Sequence, residues 1–253
     1  MKIEVLGSYG GQSRECRMTS LLINETVALD AGALGEGLSI ERQSGVRAIV
    51  LTHSHMDHTN SLPFFAENIY GKLDGPIEVY ASEATIYSVR KHLFNNATWP
   101  DFTRMPNNLL PAIRFHELEP EVPVELEGVT FTPFEVDHSI PTFGFLIEKG
   151  AAGLLWSSDT GPTFRLWELA NQTVNLKALC VETSFDNEMQ EIADISYHLT
   201  PQTLALELEK LERRVPLLIH HLKPTCVKSV REEIKAIGNP DLHFLEQGKT
   251  YRV

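Results

Sequence analysis

The stretch Val46–Phe65, VRAIVLTHSHMDHTNSLPFF, places three histidines and an aspartate within six residues. His53, His55, Asp57 and His58 follow an apolar run that is short, continuous and β-branched, as an inner strand of a sheet is. Neutral imidazole and carboxylate are the usual ligands of zinc and neighbouring divalent ions. His53 and His55 are two apart, so in an extended segment both point to one side and can reach one ion. Asp57 and His58 are adjacent, and a helix starting there turns them toward a second. Desolvating four such side chains at a core edge without a metal is costly, so the stretch predicts a metal site at a strand end. Two ions need more ligands than four. The candidates elsewhere are His138 in EVDHSIP, Asp159 in WSSDTGP and a histidine of IHHLKP, His220 or His221. His92, His116 and His243 have no such companions and read as ordinary polar residues.

The whole chain sets the bounds. Its 253 residues are 42% hydrophobic and 22% charged, an ordinary globular composition with length for one large core. With no low-complexity linker and no long like-charge run, a single domain over 1–253 is expected. The start MKIEVLGSYGG has no apolar signal region, and no run reaches the roughly 18 apolar residues of a membrane span. Cytoplasmic residence without membrane association is therefore the default. The three cysteines, Cys16, Cys180 and Cys226, are far apart and form no redox or metal pair, so reduced, buried thiols are expected. A formal charge of −12 repels polyanions and disfavours an extended nucleic-acid surface. A small anionic substrate remains compatible, since bound divalent ions invert the local field.

Strand and helix signals mix along the chain, which predicts an α/β class with mixed sheets. KIEVLGS, followed by YGG, reads as a strand and a glycine turn, and SLLINETVALDAG as two short strands about Asn24-Glu25. IEVYAS is a further strand, and EATIYSVRKHLF a helix with Ser82 as its N-cap. NNATWPDFTRMPNNLLP reads as a long loop. IRFHEL, VPVEL, VTFTPFEVDH, TFGFLIEK and GLLWSSD read as an antiparallel meander. TPQTLALELEKLERR is strongly periodic and predicts a helix with Thr200 as N-cap and Pro201 in its first turn. Ligand-type residues recur after strands at His53–His58, His138, Asp159 and His221, the placement by which open α/β sheets build sites.

THSHMDH resembles the HxHxDH signature of the metallo-β-lactamase superfamily. HLFNNATWPDF, the segment Glu182–Leu211 and HHLKP resemble, more narrowly, the class II cyclic-nucleotide phosphodiesterases. The likeness runs from the N-terminal glycine turn to the last strand. It implies an αββα sandwich of two mixed sheets flanked by helices, and two divalent ions, zinc first, with manganese or iron also suited to the ligands. By position, His53, His55 and His138 would take one ion, Asp57, His58 and His221 the other, with Asp159 bridging. His221 rather than His220 matches the histidine before x-Lys-Pro, and neighbours on a strand point to opposite faces. Two departures stand out: Ser61 and Tyr197 occupy positions where that family usually has glycine, and they bear on pocket shape rather than on ligands. Met56 for the common leucine conserves volume.

The activity implied is hydrolysis of 3′,5′-cyclic nucleotides, cyclic AMP or cyclic GMP, to 5′-nucleotides by a hydroxide held between the two ions. Asp57 would also orient that hydroxide. His198 in YHLTP would donate a proton to the departing 3′-oxygen. Its match in the superfamily's RNA 3′-end nucleases has an acidic partner, and Glu182 holds that position here. Asp30 in LDAG is a candidate support for a ligand histidine, or a turn aspartate. Trp99 and Phe102 are candidates for an aromatic wall over the base, whereas Phe94, at helical spacing, reads as core. The expected partner is a small cyclic nucleotide, and a homodimer is compatible. The rivals are an RNA 3′-processing nuclease, a cyclic-dinucleotide hydrolase and a non-catalytic metal-binding module. The first expects a basic RNA-handling arm that this chain lacks, and the last should have lost ligands, whereas all seven positions are filled.

Overall fold

The structure, a computed structural model, describes residues 1–107 and 109–253. The amino-terminal half contributes β1 (Lys2–Gly7), β2 (Ser20–Ile23), β3 (Val27–Leu29), α1 (Leu34–Gly37), α2 (Ile40–Gln43), β4 (Ala48–Val50), α3 (Met56–Thr59), α4 (Leu62–Ile69), β5 (Ile77–Ala81) and α5 (Glu83–His92). A two-stranded ribbon, β6 (Pro106–Asn107) and β7 (Leu110–Pro111), leads into β8 (Ile113–Glu117). The second half begins with the strands β9 (Val124–Leu126), β10 (Val129–Glu135), β11 (Phe143–Lys149) and β12 (Ala152–Trp156). Then come α6 (Arg165–Gln172), β13 (Leu176–Glu182), a 3₁₀ turn at Asn187–Met189, α7 (Gln190–Ser196) and α8 (Pro201–Leu208). β14 (Leu217–His220), α9 (Val227–Ala236), β15 (Leu242–Phe244) and β16 (Thr250–Arg252) close the chain.

Two seven-stranded sheets result, in the orders β16-β1-β2-β3-β4-β5-β8 and β15-β14-β13-β12-β11-β10-β9. Each is mixed. β3, β4, β5 and β8 run parallel in one sheet, and β12 to β15 run parallel in the other. One apolar cluster joins the two inner faces, with Val5, Leu21 and Val50 from one side and Phe131, Phe145 and Trp156 from the other. A second cluster lies under α1, α4 and α5, and a third under α6, α8 and α9. These are the four layers of an αββα sandwich. The alternation in β5 shows how one strand serves two layers: Ile77, Val79 and Ala81 face the helices, while Tyr80 packs between the sheets. Rings as large as those of Trp156 and Phe145, both fully buried, each contribute about 1.5–3 kcal/mol or more of transfer free energy. That packing holds the strand ends carrying the site.

Both expected N-caps form. Ser82 Oγ accepts from the Thr85 amide, and Thr200 closes a capping box with Thr203. All three cysteines are buried and unpaired. No helix among the described residues is long and apolar enough to cross a membrane.

Two expectations are corrected. IRFHEL does not belong to the meander: β8 pairs in parallel with β5 in the other sheet, and only β9 to β12 form the antiparallel run. Alternation fixes which residues are buried but not which neighbour supplies the hydrogen bonds. α8 stops at Leu208, short of the periodic stretch. Buried Glu207 accepts from the Thr163 amide and from Trp167 Nε1 and pairs with Lys210, so the last turn is tied to α6 rather than prolonged. The last two strands separate, with β15 beside β14 in one sheet and β16 beside β1 in the other.

Candidate metal centre

Seven of the singled-out residues meet at one edge of the sandwich, beyond the carboxyl ends of β4, β10, β12 and β14. His53 leaves β4, His55 caps α3, and Asp57 and His58 lie within its single turn. His138 sits between β10 and β11, Asp159 follows β12, and His221 follows β14. Their donor atoms form two groups, each within 4.8 Å: His53, His55, His138 and Asp159, and Asp57, His58, Asp159 and His221. Asp159 belongs to both, as a bridging carboxylate should.

Within the groups, ring nitrogens confront each other with few protons to share. His53 Nε2 is 3.1 Å from His55 Nδ1, which is 3.2 Å from His138 Nε2. His58 Nε2 is 3.3 Å from His221 Nε2 and 3.3 Å from Asp159 Oδ1. A tetrahedron of nitrogens about 2.0–2.1 Å from a zinc ion has edges of roughly 3.3 Å, so these spacings are those of atoms converging on an ion. Asp159 Oδ1 is buried and accepts no hydrogen bond, which is costly unless something else neutralises it. The residues therefore fit divalent ions.

Protonation follows the same logic. Burial pushes His53 well below the usual histidine range, with the His58 charge acting the same way. Burial lowers His55 and His221, and takes His138 down to about 4. These are neutral rings with lone pairs to offer. His58 is the exception. Burial opposes its charge, but Asp159 and Asp30 hold it well above the ordinary value. A proton on His58 supplies the positive charge that an ion between His58 and Asp159 would otherwise bring. Burial also opposes the Asp159 charge, and the surrounding histidines nevertheless hold that carboxyl well below the usual range.

Asp30 is fully buried at the end of β3, and the turn role is not its main one. Its Oδ2 lies 2.8 Å from His58 Nδ1, and its Oδ1 accepts from the Thr52 amide (2.8 Å) and Thr52 Oγ (3.0 Å). Thr52 Oγ is in turn 2.9 Å from His53 Nδ1. Both rings thus keep Nδ1 on protein partners and turn Nε2 to the cluster.

Glu182, the last residue of β13, is fully buried and 2.7 Å from His198 Nδ1. Burial disfavours the His198 cation, but the Glu182 charge and hydrogen bond raise its pKa above the ordinary value. The His198 ring lies 5.1 Å from that of His138 and 5.3 Å from that of His221, so it borders both groups. The pair is already satisfied by its own hydrogen bond, which distinguishes it from the ion-shaped gaps beside it. Tyr197, the second departure, stands where the backbone itself would suit glycine. It ends α7 in the left-handed region, φ +57°, so that the His198 amide bonds back to Ala193 O. Its carbonyl also takes His138 Nδ1 at 3.1 Å. Ser61, the other departure, is buried and spent on backbone: it donates to Ala31 O and accepts from the Leu34 amide, both at 2.7 Å. It therefore ties α4 to α1 instead of shaping a pocket.

Several candidates fall elsewhere. His220 is fully buried and stacked on Trp156 (3.9 Å, 18°), in neither group. The two histidines part because the strand ends at His220 and His221 turns left-handed, φ +67°, rather than through simple alternation. His221 also needs Gly10, where a Cβ would stand 2.5 Å from the imidazole. Phe102 is 5% exposed inside the helix-side core with Phe94, so it offers no open wall. Trp99 is half-buried at the edge of the same cluster, against Phe64. Thr52, Ser184 and Lys223 were not singled out. Lys223 Nζ lies 3.6 Å from Asp57 Oδ2, and its only signal was its place in HLKP. Ser184 lies within hydrogen-bond range of Glu182, His198 and His221.

A profile of the β-lactamase superfamily domain matches residues 30–221, which span Asp30 to His221. A probable 3′,5′-cyclic-nucleotide phosphodiesterase of Yersinia pestis is 26% identical over 99% of this chain and 89% of its own. A ribonuclease Z of Mycobacterium sp. (strain KMS) is 25% identical over 72% of this chain and 67% of its own. Among solved structures, unliganded yeast PDE1 superposes with a TM-score of 0.80 over 98% of both chains at 19% identity, a likeness of fold.

Proposed function

The chain belongs to the β-lactamase superfamily, and from that premise we propose that it hydrolyses 3′,5′-cyclic nucleotides to 5′-nucleotides with two divalent ions, zinc by preference. The observation that carries this reading is the buried Glu182–His198 pair beside two ion-shaped groups that share Asp159. His53, His55, His138 and Asp159 would hold one ion, and Asp57, His58, Asp159 and His221 the other. When bound, such ions supply a water that ionises near neutral pH and compensate charge on the phosphate.

The remaining work falls to the chain's own groups. Water attacks phosphorus in line, the P–O3′ bond breaks, and the 3′-oxygen leaves with a proton. His198 is the donor of that proton. Glu182 fixes Nδ1–H and raises the ring's pKa, so the proton to be given is on Nε2. Lys223 is the Lys or Arg side chain that approaches a carboxylate of the two groups among the described residues, and it offers a cation at the rim for a phosphate monoanion. The likeness to the cyclic-nucleotide phosphodiesterase spans nearly the whole chain, and the −12 charge suits a small anion better than a polyanion.

The ribonuclease Z likeness supports a second reading, cleavage at an RNA 3′ end. One assay separates them. Metal-loaded protein of confirmed stoichiometry is offered cyclic AMP, cyclic GMP, a cyclic dinucleotide and a pre-tRNA. Release of 5′-AMP or 5′-GMP is expected. Turnover of the pre-tRNA alone would select the second reading.

A further inference from the structure

We propose that Ser184 is a positioning residue that carries the charge of Glu182 to His221, so that one buried carboxylate serves both the proton donor and a metal ligand. The inference rests on His221 being a ligand, and it follows from counting protons. Ser184 Oγ is 2.9 Å from His221 Nδ1, 3.1 Å from Glu182 Oε2, 3.2 Å from His198 Nδ1 and 3.2 Å from His221 O. A hydroxyl has one proton to give among these. His198 Nδ1–H is committed to Glu182 Oε1 at 2.7 Å, the shortest contact of the group. His221 Nε2 faces Asp159 Oδ2 at 3.1 Å and Asp57 Oδ2 at 3.3 Å. A ring that turns one nitrogen to an ion keeps its proton on the other. His221 Nδ1–H then donates to Ser184 Oγ, and Ser184 donates its own proton onward. An ionised carboxylate is a stronger acceptor than a peptide carbonyl, so that proton goes to Glu182 Oε2. Ser184, Glu182, His198 and His221 are each 0–6% exposed, so water does not substitute for these partners.

The molecule contains an independent instance of the same wiring. Thr52 Oγ stands between His53 Nδ1 (2.9 Å) and Asp30 (3.0 Å), while Asp30 takes His58 Nδ1 directly at 2.8 Å. In each case one carboxylate reaches one histidine directly and a second through a hydroxyl. The two sets come from different sheets and distant segments of the chain.

The test measures metal affinity of the full-length protein without substrate, by competing zinc against a chelator. Ser184→Ala should weaken one of two ions about 10–100-fold, and Ser184→Thr, which keeps the hydroxyl, should restore affinity to within about threefold. Glu182→Gln should weaken the same ion in the Ser184 background and add nothing in the Ser184→Ala background. Equal losses in both backgrounds, or an unchanged affinity in Ser184→Ala, would overturn the relay. If Ser184→Ala does not fold, nitrogen-15 spectra of the zinc-loaded wild type decide instead. A protonated Nδ1 on His221 supports the relay, and a protonated Nε2 overturns it. Since no nucleotide is involved, failure to cleave cyclic nucleotides leaves this result standing.

Discussion

Asp30 and Glu182 are both buried at strand ends, and both hold histidines at the same cluster from opposite sheets. Asp30 stands under two rings that face the ions, His53 through Thr52 and His58 directly. Glu182 takes His198, which is outside both groups, directly, and its other oxygen reaches Ser184, which lies against His221. On the proposed reading Asp30 would serve metal binding alone, whereas Glu182 would divide its charge between binding and proton transfer. The distinction teaches that the same local wiring, a carboxylate with a hydroxyl beside it, performs different tasks according to what its histidines face.

Asp159→Ala removes the one ligand common to both groups and should lose both ions, with activity falling by about 10³-fold or more; metal analysis beside turnover checks it. Loss of activity with both ions retained would mean Asp159 does not bridge. Asp30→Asn should weaken metal binding about 10–100-fold and also lower stability, since it leaves a buried histidine and threonine with a poorer partner. Retained affinity in that variant would reduce Asp30 to a turn residue.

The Glu182 side should respond differently. His198→Ala should keep two ions and lower kcat about 10²–10⁴-fold; metal loss there would end its assignment as an acid. Glu182→Gln should give a smaller kcat loss and a shifted pH profile. The sign follows from the raised pKa of His198. An acid must be protonated, so kcat falls as pH rises through that value. Removing the Glu182 charge lowers the value and moves the fall to lower pH. A limb that stays in place would mean that another group titrates. The smallest effect is expected at Tyr197. A left-handed non-glycine residue costs about 1–2 kcal/mol, part of which glycine returns as unfolded-state entropy. Tyr197→Gly should therefore stabilise by up to about 1 kcal/mol, raising Tm by a few degrees. A lower Tm would show that the tyrosine side chain contributes more than its backbone strain removes.

Much of the candidate centre is legible because its candidate ligands are local and chemically rare. Four of them fall in six residues after an apolar run, and such a cluster has few other uses. His138, Asp159 and a histidine of IHHLKP stand out only as ligand-type residues after strands, and their assignment to particular ions, with His221 over His220, comes from family likeness. Thr52 and Ser184 were illegible for a stronger reason. Hydroxyls are common, and theirs matter only because a distant carboxylate comes within hydrogen-bond reach. Phe102 was misread because a loop aromatic folds inward here, onto Phe94. β8 was assigned to the meander because strand alternation is local, whereas the choice of sheet depends on a pairing partner some 36 residues back.

Zinc-loaded wild-type protein is incubated with 3′,5′-cyclic AMP and, separately, with 3′,5′-cyclic GMP, its metal content and products measured together. Two ions per chain and release of 5′-AMP or 5′-GMP are expected, with the activity abolished by chelation and restored by zinc. Full metal occupancy with no turnover of any cyclic nucleotide would contradict the account.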